Sequence, residues 1–197
     1  MTRDRHRQTI EALQIARESR DGADRQSAQE LRTLVEQLAD ALGTPPDVRE
    51  EALKAAALLD LGLLAVSQAT IGAEHELSPP ERSELQAAPL AAQTLVAGTP
   101  GYESAADAAR HVRERWDGQG YPDGLKGEAI PLASRIVAVA GAFQAMSTPR
   151  PFRPAIPPRA ILEELRVAAG SQFDPGVVQV FLRMISPLVG EERGVDG

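Results

Sequence analysis

Arg115-Trp116-Asp117-Gly118-Gln119-Gly120-Tyr121-Pro122-Asp123-Gly124-Leu125-Lys126-Gly127-Glu128-Ala129-Ile130-Pro131 follows a helix-like segment and precedes a long apolar one. Gly118, Gly120, Gly124 and Gly127 interrupt any regular element, and the Tyr121-Pro122 step stiffens the middle. A generic connection in a small domain is much shorter. A loop of this length and order displays something, or ties distant helices together.

The segments around it read as helices. Leu31, Leu34, Val35, Leu38, Ala39 and Leu42 recur at helical spacing over 25–42. A second, Ala/Leu-rich helix is expected over about 47–60, and Gly62 to Leu77 is less regular. Ser78-Pro79-Pro80-Glu81 starts a helix to about Ala97, with serine as cap and Glu81 in the capping-box position. Ala105 to Trp116 reads as the next. Pro131 opens a long apolar helix through Ile136, Val137, Val139, Ala140, Phe143 and Met146. Two more start at Pro157-Pro158 and Asp174-Pro175. No strand pattern and no internal repeat stands out. The expected fold is all-α, a bundle of seven or eight helices. Its expected divisions are a helical extension over 1–24, a domain over 25–188 and a polar tail over 189–197.

Composition narrows the function. The 197 residues are 43% apolar and 4% aromatic, enough for one helical core. The net charge of −7 argues against a nucleic-acid polymer as partner. Without cysteine there is no disulfide, thiolate zinc site or thiol nucleophile. No apolar run approaches a membrane span, and the charged start lacks a signal-peptide core, so the reading is cytoplasmic. Residues 1–40 are a candidate homodimer contact.

Several ordered motifs then point one way. Glu114 to Gly124, Ile130 to Ile136, Arg150-Pro151-Phe152-Arg153-Pro154 and Gly170 to Pro175 together resemble the HD-GYP family, metal-dependent cyclic di-GMP phosphodiesterases of the HD superfamily. The resemblance covers roughly residues 27–185. It implies an HD-superfamily bundle with a GYP loop, and a metal centre built from histidines and aspartates on several helices.

Placed position by position on that family, the ligand set is altered. The early histidine falls near Ser27, the His-Asp doublet on Leu59-Asp60 and the lysine after it on Leu63. The histidine of the His-Pro step falls on Ala88, the paired histidines on Val112-Arg113, and the late aspartate on Gly141. Of the ligands only Asp60 remains. The apolar replacements are expected to fill the old cavity, and Arg113 to pair with Asp60 in place of the metal charge. His111 and Glu114 share a helical face, which reads as a surface histidine beside a carboxylate rather than a metal site, since such a site needs three or four ligands.

The resulting expectation is a pseudoenzyme: no metal, no cofactor and no catalytic residue. It acts by protein–protein contact in cyclic di-GMP signalling, with Gly120, Tyr121 and Pro122 facing a partner such as a GGDEF domain. The alternative is a non-hydrolytic cyclic di-GMP sensor, with Lys126, Arg150 and Arg153 on phosphates and Tyr121 stacked on guanine. A residual phosphodiesterase ranks third.

Overall fold

The computed structural model describes residues 25–59, 61–73, 75–149 and 155–190. The expected N-terminal helix, Asp60, Arg150, Arg153 and the tail beyond 190 lie outside the described residues. Within them the protein is all-helical: α1 Arg25–Ala41, α2 Pro46–Leu59, α3 Gln68–Ile71, α4 Pro79–Leu95, α5 Glu103–Arg110, α6 Leu132–Ser147, α7 Pro158–Ala168 and α8 Pro175–Gly190. Short 3-10 turns cover Leu61–Ala65 and Gly127–Ala129.

Helix α6 is the axis of the bundle. Its Ala133, Ile136, Val137, Val139 and Ala140 are buried, and α1, α2, α5, α7 and α8 pack around it. Helix α1 supplies Leu31, Val35 and Leu38, spaced four and three residues apart and buried on one face. Helix α8 answers with Val177, Val178, Phe181 and Ile185; the Phe181 ring meets Phe143 edge-on at 5.2 Å. Burial of each such side chain stabilises the fold by roughly 1.5–3 kcal/mol. Alanines at 52, 55, 105, 106, 108 and 109 let α2 and α5 approach closely. At the start of α4, the Ser78 backbone amide and hydroxyl both donate to Glu81, at 2.7 and 2.6 Å, as the Ser-Pro-Pro-Glu pattern predicts.

The Leu61–Ala65 turn packs on α4 with no room to spare. A Cβ at Gly62 would stand 2.1 Å from the Ala88 carbonyl oxygen and 2.8 Å from its carbon. Both are backbone atoms on a packed helix. Gly62→Ala is therefore expected to lower stability by on the order of 2 kcal/mol. Thermal unfolding should register this as a fall in Tm of roughly 4–8 °C.

One helix ends early. The spacing predicts helix from Ala105 to Trp116, but α5 stops at Arg110 and residues 111–113 are turns. The reason lies in the competition for hydrogen bonds. The Arg113 carbonyl, which a continuing helix would offer to residue 117, accepts instead from the Tyr121 amide at 3.3 Å. The Asp117 amide donates to Ser171 O at 2.8 Å. The glycine loop and the α7–α8 turn thus take the groups that another helical turn would need.

Candidate functional site

The loop is pinned at both ends. Trp116 and Asp117 donate their amides to Gln172 and Ser171, at 3.1 and 2.8 Å, in the turn before α8. Gly127 donates back to Trp116 O at 3.0 Å. Arg135 on α6 reaches Asp174 at 2.6 Å and the Ile130 carbonyl at 2.9 Å, with its guanidinium 5.8 Å from the Trp116 ring centre. Asp174 in turn accepts from the Gly176 amide at 2.7 Å, which caps α8. The separated motifs around Trp116, Arg135 and Asp174 are therefore one anchoring network.

The loop's middle rests on Glu114 and Asp123. Glu114 is 5% exposed, and its Oε1 accepts from the amides of Asp123 and Gly124 at 2.7 and 3.0 Å. The Asp123 carboxylate receives a two-pronged bond from Arg110, both contacts 2.7 Å, and a 2.8 Å bond from His111 Nε2. Arg110 first, then His111, hold the Asp123 carboxyl far below the usual carboxylate range. The clamp is thus present above the ordinary aspartate pKa and is lost only as pH falls through the lowered value.

These contacts gather His111, Glu114 and Asp123 so that one ligand atom from each lies within 4.8 Å of the others. His111 is 7% exposed, with Nδ1 lacking a hydrogen-bond partner, and Glu114 Oε2 is likewise buried and unpartnered. His111 and Glu114 also border a cavity of about 10 Å³ beneath the loop. The sequence had placed His111 on the surface, and the structure corrects this: it is buried. Asp123 was missed because it comes from the loop, twelve residues beyond His111. Its Tyr-Pro-Asp-Gly setting was the available signal.

Beside this group opens a cleft of about 650 Å³. Ser27, Leu59, Val112, Arg113, Gly141, Gly120 and Tyr121 all line it. Ala88 lines an adjoining cavity of about 480 Å³, which shares Leu59, Leu63, Arg113 and Tyr121 with the first. Ala88 and Val112 are buried in the bundle, but Leu59, Leu63 and Gly141 border open space rather than a filled core. Even a Cβ at Gly141 would find its nearest neighbours, Leu31 and Leu59, at 3.9 and 4.0 Å. Lys126 is exposed on the loop and lines neither cavity, and Pro122 is half-buried beside Tyr121. Arg113 is exposed, and its side chain makes no hydrogen bond or ion pair with a described residue. Its expected partner Asp60 lies outside them.

A metal can be tested against both places. At the family's ligand positions, Leu59, Ala88, Val112 and Gly141 offer no donor and Arg113 repels a cation, so a multinuclear centre does not fit there. At His111, Glu114 and Asp123 the donor set does fit. One imidazole and two carboxylates suit iron or manganese; Glu114 Oε2 is buried with no partner, and His111 Nδ1 has no hydrogen bond, only Asp107 at 3.7 Å.

The bundle and its loop define an HD-type helical domain. The HD domain family matches residues 8–177, and the chain belongs to it. Among relatives, the cyclic di-GMP phosphodiesterase response regulator RpfG of Xanthomonas campestris pv. campestris (strain 8004) is 35% identical, over 91% of this chain and 48% of that protein. A cyclic di-GMP phosphodiesterase of Vibrio cholerae serotype O1 is 33% identical, over 92% of this chain and 39% of that protein. The crystal structure of a cyclic GMP-AMP specific phosphodiesterase of Vibrio cholerae superposes with a TM-score of 0.69 at 21% identity, covering 95% of this chain and 51% of that one. The chain spans about half the length of these relatives or less.

These findings overturn the pseudoenzyme expectation. Relatives matched along nine-tenths of the chain are named phosphodiesterases, and the described residues hold a three-ligand group that the sequence reading had dismissed. The reading as a non-enzymatic interaction or sensing domain gives way with it. No helix among the described residues is long and apolar enough to cross a membrane.

Proposed function

We propose that this chain is a metal-dependent phosphodiesterase domain acting on a cyclic dinucleotide held in the 650 Å³ cleft. The match to phosphodiesterases over 91% of the chain carries the reading. The cleft volume supports it, falling in the range of ordinary small-ligand sites. Tyr121 lines both cavities and offers a ring for stacking on a base. The Gln86 and Gln119 amides on the cleft wall offer donors and acceptors to base edges.

His111, Glu114 and Asp123 would hold the divalent ion, which supplies a water of lowered pKa and neutralises phosphate charge when bound. Glu114 borders both the cleft and the small cavity beneath the loop, so this group opens toward the ligand. Arg110 holds Asp123 in place, while Leu59, Leu63 and Val112 make one part of the cleft wall apolar. The reaction adds one water across one P–O bond and yields a linear dinucleotide.

Incubation with cyclic di-GMP and with 3'3'-cGAMP, in manganese or ferrous iron, tests the proposal. Chromatography should show the linear product accumulating in proportion to enzyme. No product from either substrate with enzyme and substrate at equal concentration, in both metals, would rule the proposal out.

A further inference from the structure

We propose that Arg113 is the phosphodiester-binding residue of the cleft, set between two chambers that each take one base of the ligand. The proposal rests on the phosphodiesterase reading for the ligand class alone. The neighbouring arginines are all committed: Arg110 to Asp123, Arg115 to Asp117 and Arg135 to Asp174. Arg113 is not. It is exposed and has no carboxylate partner among the described residues, yet it lines both the 650 Å³ cleft and the 480 Å³ cavity.

Charge supports an anion here. Arg115 and His75, which also line the two cavities, are paired with Asp117 and Glu81, and Glu114 is held through its Oε1 by two loop amides with Oε2 buried. The unpaired cation lining both cavities among the described residues is the Arg113 guanidinium, in a chain whose net charge is −7. Its backbone is fixed, because the Arg113 carbonyl accepts from Tyr121. A planar guanidinium grips two phosphate oxygens at once, and the apolar walls beside it raise the strength of that grip.

The shape narrows the ligand further. Arg113 and Tyr121 stand where the two cavities meet. A ligand with two bases joined through phosphodiesters can place one base on each side and a phosphate on the guanidinium. A mononucleotide fills only one side. Arg113 lies at a position where the resembling family carries a metal-binding histidine. The cation is therefore built into the chain, and phosphate binding does not wait for a metal.

Titration calorimetry with cyclic di-GMP and 3'3'-cGAMP in EDTA reads binding while metal-dependent cleavage is silent. Wild type is expected to bind at least one of them, more tightly than GMP and more weakly as salt rises. Arg113→Ala should weaken binding roughly 10- to 100-fold, with unchanged Tm because the side chain is exposed. Arg113→Lys should restore part of the loss, since it keeps the charge without the fork. Equal affinity for wild type and Arg113→Ala, or no binding by wild type, overturns the proposal. Arg113-dependent binding in EDTA with no cleavage on adding metal sustains this inference and sinks the phosphodiesterase reading. Cleavage with an unchanged KM in Arg113→Ala does the reverse.

Discussion

Gly120→Ala is expected to release the loop while leaving the bundle folded. The added Cβ would lie 2.3 Å from the Arg115 amide nitrogen, and 2.5 and 2.6 Å from Glu114 Cα and carbonyl carbon. All three are backbone atoms, so no side chain can swing aside. Glycine is needed here for space rather than conformation, since Gly120 is not among the positive-φ glycines. Separation at this contact breaks the Tyr121–Arg113 hydrogen bond and lifts Asp123 and Gly124 from Glu114, leaving buried acceptors unpaired. Overpacking alone costs about 1–3 kcal/mol, and each lost bond at a buried acceptor adds about 1 kcal/mol or more. Trp116, the sole tryptophan, sits over Arg135 at the base of the loop and reports its release. Emission should shift to the red, amide exchange at 121–124 should quicken, and the cleft should lose its Tyr121 wall. Gly124→Ala is the control. Its φ is 67°, but the nearest atom to an added Cβ is 3.8 Å away, so only about 1 kcal/mol of backbone strain is expected. If the two variants behave alike, the close approach is not what the loop requires.

The bundle was legible because its helices carry their own signals. The Leu31, Val35, Leu38 stripe, the Ser78–Glu81 cap and the prolines opening α7 and α8 act locally, and each appears where periodicity and capping put it. The end of α5 was not legible. Nothing between Arg110 and Trp116 breaks a helix, and the hydrogen bonds that stop it come from residues 121 and 171. The same non-local geometry hid the site. His111 and Glu114 were visible as a pair, but the third member is delivered by a loop folding back under Arg110. Reading the ligand positions one at a time also misjudged the cavity. Leu59, Val112 and Gly141 are apolar or small, and the sequence suggested a filled core. Filling depends on how closely α1, α2 and α6 approach one another, and there the backbones leave a cleft.

Glu114 carries two roles that its amide and alanine variants should pull apart. Oε1 holds the loop through two backbone amides, while Oε2 is buried and unpartnered beside His111. A buried carboxylate with one bare oxygen is costly unless a cation joins it. Glu114→Gln keeps an oxygen to accept the Asp123 and Gly124 amides but places an NH2 group where the ion would be. Its Tm should stay within a few degrees of wild type and its Trp116 emission should be unchanged. Bound manganese or iron, measured by plasma mass spectrometry, should fall below stoichiometric. Cleavage of the cyclic dinucleotide should drop at least about 100-fold, since even changes behind the ligands cost roughly 10–100-fold. Glu114→Ala removes the loop's acceptor as well, so it should lose both metal and loop. The Tm difference between the two variants then reads the anchoring, on the order of 2 kcal/mol for two buried amides left unpaired. A glutamine variant that retains metal and rate would show that the ion, if any, binds elsewhere. A glutamine variant as unstable as alanine would show that the loop needs the negative charge itself.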